Sequence, residues 1–159
     1  MNVDILRRAL ALESRSFIEY MAHSSPPVDL ERYPDVLRGL EEIHAEEEAM
    51  VGELVAAIVA EDGDPDVTAT YDLRYSYYNY LSTTYALKVI AEQLERSLAR
   101  FDTLVAEAAA DPETHDFLRR LRDRKRAVLA RVEDMRRAAA EAGGKKAAAL
   151  AAPAKAAGH

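Results

Sequence analysis

The sequence predicts an all-α protein, a single four-helix bundle with a long crossover between its second and third helices. Three observations predict it. Apolar residues recur at alternating steps of three and four along four separate segments, the spacing that puts them on one face of a helix. Residues that break helices are scarce, with six glycines and six prolines in 159 residues. The segments are joined by one short, one long and one very short connection, a pattern that lets antiparallel neighbours and one parallel pair share a core. A composition of 49% hydrophobic and 31% charged residues suits a folded chain rather than a disordered one.

The first helix is expected from about Val3 to His23, with the stripe Val3, Leu6, Leu10, Phe17 and Tyr20. Glu13 fills the one gap in that series. Ser24, Ser25, Pro26 and Pro27 end it, because prolines remove backbone donors and disfavour helical geometry in the residue before them. The second helix starts near Pro34 and stops before Asp62, Gly63, Asp64 and Pro65. Its stripe is Leu37, Leu40, Val51, Leu54 and Ile58, completed by the polar pair His44 and Glu47.

Residues 62–74 form the long connection, which at about 3.3 Å per residue reaches the ~40 Å length of a bundle. A third helix is expected from Tyr75 to Ala110, with Tyr80, Leu87, Ala91, Leu94, Leu98, Phe101 and Val105 in stripe and Glu95 on its border. Asp111 followed by Pro112 reads as a cap and first helical residue. The fourth helix then runs to about Ala140 on the stripe Leu118, Leu121, Val128, Val132 and Met135, its gap filled by Lys125 with Arg124 beside it. Gly143 and Gly144 read as a stop, so the domain is placed at residues 1–141 and a flexible Ala/Lys/Gly-rich tail at 142–159.

Charge and composition narrow the function. The chain has no cysteine, which excludes disulfides, thiolate metal sites and cysteine nucleophiles and points to a reducing, cytoplasmic setting. Its net charge is -7, and the three lysines after Ala142 leave the rest more acidic still, so no nucleic-acid partner is expected. Nor is a membrane partner, since no apolar stretch is long enough to span one. Nine Lys or Arg between Asp116 and Arg137 are expected to pair with the seven glutamates between Glu41 and Glu61 or to form a solvated face. Six tyrosines between Tyr71 and Tyr85 are expected to pack against a neighbouring helix or a second subunit. No phosphate loop, catalytic triad or paired-acid motif is present.

The polar interruptions carry the functional reading. Glu13, Glu47, Glu95 and the Arg124–Lys125 pair fall at one level of the four helices. Ionised groups at core positions cost several kcal/mol each unless paired or bound to metal, so they are expected to form one cluster. Taken as residues, Glu13 and Glu47 suit a boundary carboxylate, a salt-bridge network or a metal ligand. His44, three before Glu47, could join Glu13, Glu47 and Glu95 around one zinc or iron if Arg124 points away.

The segment beginning at Glu13, with Tyr20 seven later and His23 ten later, resembles the first-helix motif of bacterioferritins and rubrerythrin-like proteins, in which the Glu is a di-iron ligand. Residues 46–65 resemble their second helix, with Glu47 matching the Glu of a Glu-x-x-His pair and Met50 standing where the His belongs. Residues 94–104 resemble the third helix, with Glu95 at the ligand position and Asp102 where the family has Tyr. On the fourth helix Arg124 and Ala127 occupy the second Glu-x-x-His pair. The resemblance implies a ferritin-like fold with a degenerate di-iron site. Such a site needs about four carboxylates and two imidazoles. The reading is therefore a non-catalytic binding or structural module without cofactor, in which Arg124, with Lys125, supplies the charge that metal supplies in relatives. It is expected to associate as a homo-oligomer, a dimer through apolar helix faces. The alternative is a protein of iron handling or oxidative-stress defence that holds iron or another divalent metal with an altered ligand set of Glu13, Glu47, Glu95 and His44.

Overall fold

The computed structural model describes residues 1–24, 33–78 and 81–151, with Ser24 and residues 144–151 given by their backbone alone. All regular elements are helical. They are α1 (Val3–Glu13), α2 (Phe17–Ser24), α3 (Pro34–Ala60), α4 (Thr83–Glu107) and α5 (Pro112–Ala151), with short 3-10 helices at Leu73–Tyr77 and Ala108–Ala110. No helix among the described residues is long and apolar enough to cross a membrane.

The expected first helix is two. Ser14 closes α1, its backbone N–H and its hydroxyl both donating to Leu10 O at 3.0 and 2.7 Å. Ser16 opens α2 by accepting the Glu19 N–H at 2.9 Å, the Ser-x-x-Glu arrangement of a helix N-terminus. The Ser16 hydroxyl thus supplies the acceptor that a continuous helix would have given the Glu19 N–H, and the apolar stripe crosses the break without losing its face. Pro26, Pro27 and Tyr80, to which the sequence reading gives roles, lie outside the described residues.

The start of α3 at Pro34 and its end before Asp62 follow the sequence. At the exit Asp62, not glycine, adopts the left-handed conformation (φ 56°). Its N–H donates to Val59 O and the Gly63 N–H to Ile58 O, closing the last turn with crossed bonds. Gly63 is needed for room, since a Cβ there would meet Val3 Cγ1 at 2.8 Å and the Ile58 carbonyl oxygen at 3.0 Å.

Two boundaries differ from expectation. Helix α4 begins at Thr83 rather than Tyr75, capped by Ser82 Oγ, which accepts the Tyr85 N–H at 3.3 Å. Tyr75 instead lies in the 3-10 turn that Asp72 opens by accepting the Arg74 N–H. Helix α5 starts at Pro112 as expected, with Asp111 accepting from both the N–H and the hydroxyl of Thr114. It continues past Gly143 and Gly144 to Ala151, so residues 142–151 of the expected flexible tail are helical. Glycine lowers helix propensity by about 1 kcal/mol without forbidding the conformation. Residues 152–159 of that tail lie outside the described residues.

Cross-links fix the helix directions. Asn2 N–H donates to Thr114 Oγ1 at 2.7 Å and Glu13 meets Lys125, so α1 and α5 run the same way. The Met1 ammonium lies 2.7 Å from Glu61 while Ser16 meets Glu47, which sets α1 against α3. Arg8 pairs with Glu107 while the Phe17 N–H donates to Gln93, which sets α1 and α2 against α4. Helices α3 and α4 consequently point in the same direction.

The core is in two parts. One centres on Leu6, Leu10, Leu54, Ile58, Phe101 and Leu118, the other on Phe17, Ile43, Leu87, Ile90, Leu94 and Val132. Between them, one residue set deep on each of α1, α3 and α5, sit Glu13, Glu47 and Lys125, the polar layer that the sequence places at mid-height.

Candidate functional site: a buried charged layer

Each member of the layer is positioned by its helix register. Glu13 is the last residue of α1, one turn after Leu10 and one before Phe17. Glu47 follows Ile43 and precedes Met50 on α3, and Lys125 lies between Leu121 and Val128 on α5. The three are 3%, 3% and 2% exposed. Lys125 Nζ donates to both oxygens of Glu13, at 2.7 and 2.9 Å. The ammonium also stands 6.0 Å from the centre of the Phe101 ring on α4, within reach of its negative face.

Glu47 is held differently. The Ser16 hydroxyl donates to its Oε2 at 2.6 Å, while its Oε1 is buried without a hydrogen-bond partner. Burial drives its carboxyl up to about 7, against the attraction of Lys125 and the Ser16 hydrogen bond, which pull the other way. With Glu47 protonated the layer holds one carboxylate and one ammonium and is electrically neutral. Ser16 therefore has two duties, capping α2 through its lone pair and serving Glu47 through its proton.

The residues anticipated from sequence are only partly brought together. Glu13, Glu47 and Lys125 converge. Arg124, expected inside as the cation that replaces metal, is instead at the surface with its side chain 34% exposed. There it donates to Glu53 at 2.5 Å and lies 3.6 Å from Glu46, both on α3. One residue along a helix is a rotation of about 100°, enough to carry a side chain from core to seam. Glu95 is exposed on α4, where the inward positions are Leu94, Leu98 and Phe101. His44 is half-buried: its Nε2 is 3.9 Å from Glu48, its ring meets His23 edge-on at 6.1 Å, and its Nδ1 has no partner. Ala127 is exposed as well, so the inward pair on α5 is Lys125 and Val128.

The donor set does not fit a metal centre. Both oxygens of Glu13 are engaged by an ammonium, Glu95 is exposed on α4, and Met50 and Val128, the buried residues one turn beyond Glu47 and Lys125, offer no imidazole. Among the described residues no group of three or more His, Asp or Glu is placed to hold a metal ion. Sequence reasoning missed Ser16, although Ser16 followed three residues later by Glu19 is the signature of a helix start. An acidic cleft of about 470 Å³ opens over the layer between the α1–α2 break and α3, lined by Glu13, Ser16, Glu19, His44 and Glu47.

No family model matches the chain, and no curated protein and no solved structure matches it.

Proposed function

We propose that this chain is a ferritin-like four-helix bundle, with its long crossover between α3 and α4, in which an internal ion pair has taken the place of a di-metal centre, and that it works as a non-catalytic binding or structural module. One observation carries the reading: the Lys125 ammonium sits on both oxygens of Glu13, at the position and depth where the resemblance puts a metal ligand. The parallel course of α3 and α4 supports the fold assignment, because only a connection that returns along the whole molecule permits it. An ammonium neutralises a carboxylate as a cation would and leaves no open coordination position at which oxygen could react. A cytoplasmic setting belongs to the proposal, in keeping with the cysteine-free composition. So does a homodimer formed through apolar helix faces, to which Leu37 and Val59 of α3, 39% and 54% exposed, would contribute.

Metal analysis of protein purified without chelators, before and after anaerobic incubation with ferrous iron, tests the central claim. Less than one metal per chain is expected. A content of about two irons per chain with an oxo-iron absorption band would overturn the reading in favour of iron handling with an altered ligand set. Native mass tests the dimer separately.

A further inference from the structure

Beyond Arg15, which borders the acidic cleft as well, the connection before α4 lines a second cleft of about 520 Å³ with the reverse charge. Four arginines line it, Arg15, Arg74, Arg96 and Arg100, against one carboxylate, Asp72. Two of them are already committed. Arg74 holds Asp72 through its Nε and Nη2, which keeps that carboxyl down at about 2, and Arg15 pairs with Glu19 while lying 5.3 Å over the Tyr71 ring. Arg96 and Arg100 are one helical turn apart on α4 and, among the described residues, neither has a carboxylate within ion-pair distance, Arg96 acting on Asp72 only from farther off.

Two guanidinium groups at that spacing repel one another along the helix, and the chain as a whole is acidic, so their concentration at one cleft is the feature that needs an occupant. Beside them Ser97 is 7% exposed, and its hydroxyl is buried without a partner in the same wall. Leaving such a group unmatched costs about 1–3 kcal/mol, a cost that an acceptor oxygen at that point would remove. The planar forks of two arginines and one hydroxyl match the several oxygens of a tetrahedral dianion.

A bare phosphate would leave most of the cleft empty, since a water molecule's share of liquid volume is about 30 Å³ and the group displaces only a few of them. The remaining wall includes Leu12, Tyr71 and the exposed Leu73, which suit an organic body. We infer that this cleft binds a small organic phosphate monoester, with Arg96, Arg100 and Ser97 receiving the phosphate and Leu12, Tyr71 and Leu73 the organic part. The net charge of -7 disfavours a nucleic-acid polyanion, whose further phosphates would meet acidic surface.

Calorimetric titration of the full chain with phenyl phosphate, inorganic phosphate and phenol tests the assignment. Phenyl phosphate should bind saturably, inorganic phosphate more weakly and phenol not measurably. The pair Arg96→Gln and Arg100→Gln, both at exposed positions, should weaken phenyl phosphate by about tenfold or more with an unchanged melting temperature, and Ser97→Ala by a few-fold. Arg137→Gln, an exposed position on α5 paired within its own helix, should change nothing. Absence of saturable binding of either phosphate, or undiminished affinity in the double variant, would overturn the proposal. Equal affinity for the two phosphates would overturn the place given to Leu12, Tyr71 and Leu73.

Discussion

Lys125 and Glu13 form a pair that stabilises only as a pair. Both are removed from water, and their mutual attraction offsets a desolvation cost of several kcal/mol per ion. Replacing Lys125 by methionine keeps the volume and strands a buried carboxylate, so Lys125→Met should lower unfolding free energy by about 3–5 kcal/mol in urea titrations. Adding Glu13→Gln should recover a large part of that loss. Failure of the second change to recover any would show that the lysine matters for packing and not for charge. Glu47 gives the residue scale its pH dependence. Its carboxyl titrates near 7 when folded and near 4.5 when free, so between those values the native state holds the proton more tightly than the unfolded chain. Stability from this group is complete below about pH 4.5 and is lost as the pH rises through 7. Comparison of wild type with Glu47→Gln should show the variant gaining on the wild type by about 1–3 kcal/mol between pH 5 and pH 8. Parallel curves would mean that Glu47 is already ionised in the fold.

At the scale of elements, the break between α1 and α2 is the feature that joins local structure to the layer. The Ser16 hydroxyl cannot be lost without leaving both the Glu19 N–H and the Glu47 carboxyl short of a partner. Ser16→Ala should therefore cost about 1–2 kcal/mol, more than an exposed cap. It should also move the Glu47 transition to higher pH, and Ser16→Thr should restore most of both effects. A thermal melt and the pH series described for Glu47 measure them together. The break was legible in the sequence as Ser-x-x-Glu, yet the apolar stripe runs straight across it. Periodicity reports which face is buried and is silent about whether the backbone is continuous. The early start expected for α4 failed for a related reason. Tyr75 packs against Phe17 at 4.8 Å between ring centres, and that tertiary contact holds it in a 3-10 turn ahead of the helix.

For the molecule as a whole, four arginines of α5 make ion pairs with its neighbours. Arg124 reaches Glu53, Arg131 reaches Glu42 and Glu46 on α3, and Arg122 and Arg126 reach Asp102 on α4. Exposed pairs are each worth little, about 0.2–1 kcal/mol, and are screened by salt. Arg131→Glu, which reverses a pair between helices, should lower stability by roughly 1 kcal/mol at low ionic strength and less in 0.5 M salt. Arg137→Glu, whose partner Asp134 is on its own helix, should do less at either. Equal effects would argue that the seam between α3 and α5 is held by apolar packing alone.

Legible along the chain were its helical character, the starts of α3 and α5, part of the core, including Leu6, Leu10, Leu54, Ile58, Leu87, Leu94 and Val132, and the meeting of charged groups on α1, α3 and α5 at mid-height, whereas Leu37 of the expected stripe is exposed and Ile43 and Ile90 are buried outside it. The legible features follow from local rules, because caps, proline and the 3.6-residue repeat act within a turn or two of chain. Helix packing settled that Lys125 and not Arg124 enters the layer, that Glu95 faces out, and that the arginines of α4 line a cleft with the connection before that helix. Neighbouring positions on a helix differ by about 100° of rotation, and the width and direction of the buried arc are set by the helices packed against it. A single residue's error in register is invisible along the chain and complete in space.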